Sequence, residues 1–138
     1  MPSQGWDRPV AMDVLVVDDA ESVRNTVRAI LEEIGVPADH IHEVDAARDA
    51  LTFCDLRSPD LVLLDLVLPD IPGEEIGAVL MEEAPDLRLV PMTALDPQDG
   101  RVRQLVALGA FDVLEKPIRQ REVEALFEEL EEERHAPA

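Results

Sequence analysis

With one cysteine, Cys54, the 138-residue chain can form no intramolecular disulfide and offers no clustered-cysteine metal spacing, which fits a reducing, cytoplasmic setting. Basic residues are also scarce: 12 Lys and Arg stand against 31 Asp and Glu, a formal charge of -19. A surplus of one sign on that scale opposes contact with nucleic-acid phosphates and with anionic membranes, so neither is expected as a partner. No apolar run approaches the roughly 20 residues needed to cross a bilayer, and residues 1–12 lack a basic stretch followed by an apolar one. Aromatic residues make up only 3% of the chain, so its interior has to be assembled from Val, Leu, Ile and Ala. At 46% apolar residues there is enough material for a core, and the length suits one domain. The expected division is an extension over 1–12, a domain over 13–133 and a tail over 134–138.

What is present is a regular alternation. Val14 to Val17 is a continuous apolar, largely β-branched run that stops at Asp18 and Asp19, which reads as a buried strand ending in carboxylates. Glu21 to Ile34 carries Val23, Val27, Ile30, Leu31 and Ile34 at helical spacing, closed by Gly35 and Pro37. A strand at His40 to Val44 and a helix at Ala46 to Cys54 follow, and then a second wholly apolar run, Leu61 to Leu64, ends in Asp65. The rest predicts helix Glu74–Glu83, strand Leu87–Met92, helix Pro97–Leu108, strand Phe111–Leu114 and helix Gln120–Glu133. Alternating elements with unbroken apolar strands imply an α/β fold, a parallel sheet covered by helices on both faces. The leading topology is the flavodoxin-like doubly wound (βα)5 arrangement, strand order 2-1-3-4-5. Ligands bind such sheets where the winding reverses, between the carboxyl ends of strands 1 and 3, so Asp18, Asp19 and Asp65 are expected to meet there.

Three carboxylates held together need protonation or a cation. Mg²⁺ takes oxygen ligands, uses one or two carboxylates and leaves room for a substrate phosphate, so the cluster suits phosphate chemistry. Asp65 is then the candidate nucleophile towards a phosphoryl group. Lys116, at the end of strand 5, supplies a fixed cation for the charge spread over the phosphoryl oxygens. Thr93, at the end of strand 4, carries a hydroxyl that can donate to a phosphoryl oxygen present only after modification. His40, His42, His135 and Cys54 share no ligand spacing or evident triad and are assigned no chemistry.

Together, Val16-Val17-Asp18-Asp19, Leu63-Leu64-Asp65 with Pro69 and Gly73, Met92-Thr93-Ala94, Gly109-Ala110-Phe111-Asp112 and Glu115-Lys116-Pro117 resemble the response-regulator receiver domain. The resemblance covers nearly the whole chain and is nearest in kind to stand-alone, chemotaxis-regulator-like receivers. It implies that Asp65 accepts phosphate from a sensor histidine kinase or a histidine phosphotransfer protein. It also implies that Asp19 and Asp65 ligate Mg²⁺ directly with the backbone carbonyl of Val67, that Asp18 acts through water, and that the Lys116–Pro117 peptide is cis. The output would be a downstream protein met through the face of helix 4, strand 5 and helix 5, by a monomer or a phosphorylation-dependent dimer. Such a chain is not an enzyme in the usual sense, catalysing only its own phosphorylation and dephosphorylation.

Two departures from the family pattern shape the expectations. Where many receivers have an aromatic three residues before the lysine, this chain has Val113, so the switch is expected to rely on Thr93 and the loop after it. Val67 and Leu95, two residues beyond Asp65 and Thr93, cannot orient an attacking water by strong hydrogen bonds, which predicts slow loss of the phosphoryl group. A phosphorylation-independent interaction domain is disfavoured by retention of Asp18, Asp19, Asp65, Thr93 and Lys116. A flavin carrier would want a phosphate-cradling loop after strand 1 in place of two aspartates. A haloacid-dehalogenase-type phosphatase would want a second acid two residues after a strand-1 nucleophile, where Ala20 or Glu21 stands.

Overall fold

A strand with no polar residue along its length is stable only where both of its faces are covered, and the computed structural model, which describes residues 10–134, places the apolar runs in that setting. Strands β1 (Val14–Val17) and β3 (Leu61–Asp65) are buried throughout. They lie side by side near the middle of a parallel five-stranded sheet with β2 (Ile41–Val44), β4 (Arg88–Thr93) and β5 (Leu114–Glu115), in the order β2-β1-β3-β4-β5. The expected doubly wound topology is therefore the one observed.

Five helices close the two faces: α1 (Glu21–Glu33), α2 (Ala47–Leu56), α3 (Gly73–Glu83), α4 (Gly100–Leu108) and α5 (Gln120–Arg134). Alternation along the strands sorts them. Val14, Val16, Leu61, Leu63, Val90 and Met92 pack with Val27, Ile30 and Leu31 of α1 and with Val123, Leu126 and Phe127 of α5. Leu15, Val17, Val62, Leu64 and Leu89 pack on the other face with Ala47 and Ala50 of α2, Ile76 and Leu80 of α3, and Val102 and Leu105 of α4. The two-residue period of a strand thus divides each apolar run between two cores.

Most element boundaries shift by one or two residues from the expected ones, and three of the differences have a visible cause. His40 belongs to a single 3₁₀ turn, Ala38–His40, because β2 pairs with β1 only from Val14↔Ile41 onward. Helix α4 begins at Gly100 and not at Pro97: the Asp96 side chain accepts the Gln98 N–H in a local turn, and Asp99 caps the helix by accepting the Arg101 N–H. Strand β5 is Leu114–Glu115 and not Phe111–Leu114, for a reason that lies in β4. The carbonyls of Leu89 and Thr93 accept the N–H groups of Phe111 and Lys116, so the odd-numbered residues of β4 face the β5 side. Pro91 lies between them and has no N–H to give, and ladder pairing occurs only at Met92↔Leu114 and Thr93↔Glu115. The expected extension over 1–12 and tail over 134–138 fall almost wholly outside the described residues, as does His135.

Candidate functional site

Register brings the acidic residues together. Val17 pairs with Leu64, so Asp18 and Asp65 are the next residues at the carboxyl ends of adjacent strands, and Asp19 begins the turn into α1. Carboxylate oxygens of Asp18, Asp19 and Asp65 all lie within 4.8 Å of one another. Asp18 and Asp65 are buried, at 0% and 4% exposure, whereas Asp19 faces solvent.

Lys116, carried just beyond β5, is the cation facing this group. Its Nζ lies 2.8 Å from Asp18 Oδ2 and 3.4 Å from Asp65 Oδ1. Burial is the largest single influence on this ammonium and works against its charge, but the Asp18 and Asp65 carboxylates together outweigh it and hold the group above its ordinary value. For Asp65, burial again leads and pushes the carboxyl up. The nearby Asp18 charge adds to that shift, while the Val67 N–H, donating to Asp65 Oδ1 at 3.1 Å, and Lys116 oppose it.

The other end of Asp18 is fully engaged: its N–H donates to the Val44 carbonyl and its Oδ1 accepts the Ala20 N–H at 2.9 Å. Oδ2 is different. Lys116 approaches it as an ion contact without the alignment of a hydrogen bond, so this buried oxygen has no hydrogen-bond donor. A buried carboxylate oxygen without a donor, beside two further carboxylates and one ammonium, is a donor set that fits a hard divalent cation.

Thr93 is buried at the end of β4, and its Oγ1 accepts the Leu95 N–H at 2.9 Å while its carbonyl accepts the Lys116 N–H. Thr93 and Lys116 line one cleft of about 320 Å³ together with Leu95, Val113 and Glu122. The Lys116–Pro117 peptide is cis, as the resemblance implies. Val113 packs against the core shared with α2, α3 and α4. Val67 is 59% exposed directly after the acidic rim.

Two sets of side chains around the site escaped the sequence reading. Asp70, in the loop after β3, reaches across to α2 and accepts the N–H groups of Ala47 and Arg48, each at 3.0 Å. These two bonds, Arg48 first, hold its carboxyl below the usual range, and they cap a helix whose own N-cap, Ala46, has no side chain able to do so. Arg24 on α1 donates to the Asp18 carbonyl and pairs with Glu43 on β2. Neither set has a local signal in the sequence: Arg24 and Glu43 meet only once α1 packs beside β2, and capping at a distance of 22 residues is a tertiary event.

Comparison with known proteins agrees with this geometry. The family model described as the response regulator receiver domain matches residues 14–128. The "Probable transcriptional regulator ycf27" of Cyanophora paradoxa is 36% identical over 120 residues, which is 85% of this chain and 47% of that protein. The alkaline phosphatase synthesis transcriptional regulatory protein PhoP of Bacillus subtilis is 36% identical over 112 residues, 81% of this chain and 45% of its own length. The chain thus spans about half, or less, of the length of these curated relatives. Among solved structures, the BeF3-activated DrrB receiver domain has a TM-score of 0.75 at 26% identity, covering 89% of this chain and 99% of that one. The receiver domain of a LuxO-type repressor protein from Vibrio parahaemolyticus has a TM-score of 0.77 at 26% identity, covering 93% and 100%. With strand order, acidic rim, lysine and threonine all in one layer of the sheet and a family match across nearly every described element, the chain belongs to the response regulator receiver domain family.

Proposed function

We propose that Asp65 is the phosphoacceptor of this receiver, with Asp18, Asp19, Thr93 and Lys116 completing the site and Mg²⁺ as its cofactor. The observation that carries this reading is the position of the Asp65 carboxylate at the end of a central strand, with Lys116 Nζ at 3.4 Å and two further carboxylates within 4.8 Å. Transfer forms a bond between an Asp65 oxygen and phosphorus as the bond from phosphorus to the donor's histidine nitrogen breaks, the electron pair leaving with that nitrogen. Asp19, Asp65 and the Val67 carbonyl would hold Mg²⁺, with Asp18 acting through water, and the ion would neutralise charge on the phosphoryl oxygens.

The chain's own residues carry the rest. Lys116 is a cation already turned to the acceptor, and it needs no reorganisation to pair with a phosphoryl oxygen. The Thr93 hydroxyl accepts from Leu95, which leaves its own hydrogen free to donate. If it turns towards the phosphoryl group, the Leu95 N–H loses its partner and the loop leading to α4 has to rearrange. With Val113 in place of an aromatic, this route through Thr93 and Leu95 transmits the change to the face made by α4, β5 and α5. A sensor histidine kinase or a histidine phosphotransfer protein supplies the phosphoryl group, a downstream protein reads the face, and the setting is cytoplasmic. Among the described residues no helix is long and apolar enough to cross a membrane.

Incubation with Mg²⁺ and acetyl phosphate or phosphoramidate, followed by intact mass measurement, tests the acceptor. Wild type should gain one phosphoryl group and Asp65→Asn none; an unmodified wild type would overturn the reading. Following the same sample after donor removal tests the apolar shielding by Val67 and Leu95, for which decay within seconds is the contrary result.

A further inference from the structure

The β1–α1 turn carries two of the three site carboxylates, and one of its atoms is held from outside the site. Arg24, about one helical turn into α1, folds back so that its Nη1 donates to the backbone carbonyl of Asp18 at 2.7 Å. Its Nε faces Glu43 Oε1 at 3.3 Å, and the other oxygen of Glu43 accepts from Arg28 Nε. Arg28 is anchored in turn on the carbonyls of Ile41 and Ala38. Arg24 and Glu43 are largely shielded, with side-chain exposures of 16% and 22%, so this is not the exposed kind of ion pair that contributes little.

Three features separate a positioning role from general stabilisation. The guanidinium bonds the one backbone acceptor lying between the last apolar strand residue and the solvent-facing Asp19, whose side chain makes no hydrogen bond or ion pair among the described residues and is placed by the turn. Two separate nitrogens of the fork serve the carbonyl and the carboxylate, an arrangement that a lysine ammonium on a flexible stem does not reproduce. Glu43 offsets the Arg24 charge only in part, since it also serves Arg28, and any residual positive field would disfavour a cation, so weaker Mg²⁺ binding on loss of Arg24 reports geometry and not charge.

Resting on the Mg²⁺-dependent phosphoacceptor reading above, we infer that the Arg24–Glu43 pair is a positioning device for the metal-binding turn, fixing the Asp18 carbonyl so that the Asp18 and Asp19 carboxylates face Asp65. Residues that orient metal ligands from behind typically change affinity by about 10- to 100-fold when removed. The test is calorimetric titration of the intact chain with Mg²⁺, beside thermal unfolding without the ion. Arg24→Ala should weaken Mg²⁺ binding by about tenfold in protein that is still folded at the titration temperature. Arg24→Lys should not restore it, and Glu43→Gln, which keeps the side-chain shape, should weaken it in the same direction if the alanine variant is too unstable to titrate. Lowered melting temperature with unchanged Mg²⁺ affinity in these variants would overturn the inference alone, as would full recovery by lysine. A wild type that takes up no Mg²⁺ would overturn the phosphoacceptor reading, and the inference with it.

Discussion

At the scale of single residues, the acidic rim is a place where stability has been given up. Asp65 is buried and raised in pKa, chiefly by that burial and further by Asp18, so ionising it costs the folded state more than the unfolded one. The sign follows from linkage: a carboxyl with a raised folded value contributes stability below its unfolded value and loses that contribution as pH rises through the folded one. At neutral pH without metal, Asp65→Asn should therefore melt a few degrees higher than wild type, and the difference should vanish as pH falls below about 4. Mg²⁺ should raise the melting temperature of wild type, by binding the folded state, and leave the asparagine variant unmoved. Differential scanning calorimetry across pH checks both; an asparagine variant less stable than apo wild type at neutral pH contradicts the burial argument. The carboxylates of the proposed site stood out in the sequence because Asp18 and Asp65 each follow an unbroken apolar run, where a charged residue has no reason to be unless it is used. Arg24, Glu43 and Asp70 did not, since nothing in their neighbourhood sets them apart from solvated surface charge and their partners are fixed only by the fold.

At the scale of elements, the junction of α3 with the end of β3 leaves no room for a Cβ. A Cβ built on Gly73 would lie 2.4 Å from Leu66 Cα and 2.5 Å from the Asp65 carbonyl oxygen, both backbone atoms that cannot step aside. Gly73→Ala has to lift the start of α3 or displace the strand end that carries Asp65. It should therefore lower both the melting temperature and the rate of phosphorylation by acetyl phosphate. Gly100, the first residue of α4, has open space where its Cβ would be. Gly100→Ala should be neutral to stabilising by roughly 0.5 kcal/mol, through a less flexible unfolded chain and a better helix former, with phosphorylation unchanged. Chemical denaturation of the two variants and a phosphorylation time course separate the outcomes, and a stable, active Gly73→Ala would show that the α3–β3 contact does not set the acceptor's position. The same elements show where sequence reading reached its edge. Val14 to Val17 and Leu61 to Leu64 were readable because a buried parallel strand tolerates nothing polar. The end of β5 was not, because its length is decided by Pro91 on the neighbouring strand, and pairing across strands leaves no mark on the segment that loses its partner.

At the scale of the whole molecule, a formal charge of -19 on one domain makes the folded state repel itself, and the repulsion reaches a local extreme on α5. There Glu129 is raised to about 7, first by its contact with the Asp112 carboxyl, then by partial desolvation and by the charges of Asp112 and Glu132, so it holds its proton up to near neutrality. With the unfolded value near 4.5, this contribution is complete below that pH and is lost as pH rises through 7. General repulsion works in the same direction, since protonation relieves it. Opposing both are Asp70, held down by the Arg48 and Ala47 N–H groups, and Asp99, held at about 2 by Arg101, whose contributions survive until strongly acid pH. The protein should accordingly be most stable on the mildly acid side of neutrality and lose stability steadily from about pH 5 to pH 8. Salt separates the two causes: several hundred millimolar sodium chloride shortens the Debye length to a few ångströms and flattens the part due to diffuse repulsion, but leaves the short-range contact of Glu129 in place. Thermal melts over this pH range at low and high salt, on wild type and Glu129→Gln, provide the check. A residual slope at high salt that disappears in the glutamine variant assigns it to Glu129; a slope that persists unchanged in the variant would mean that Glu129 does not carry it.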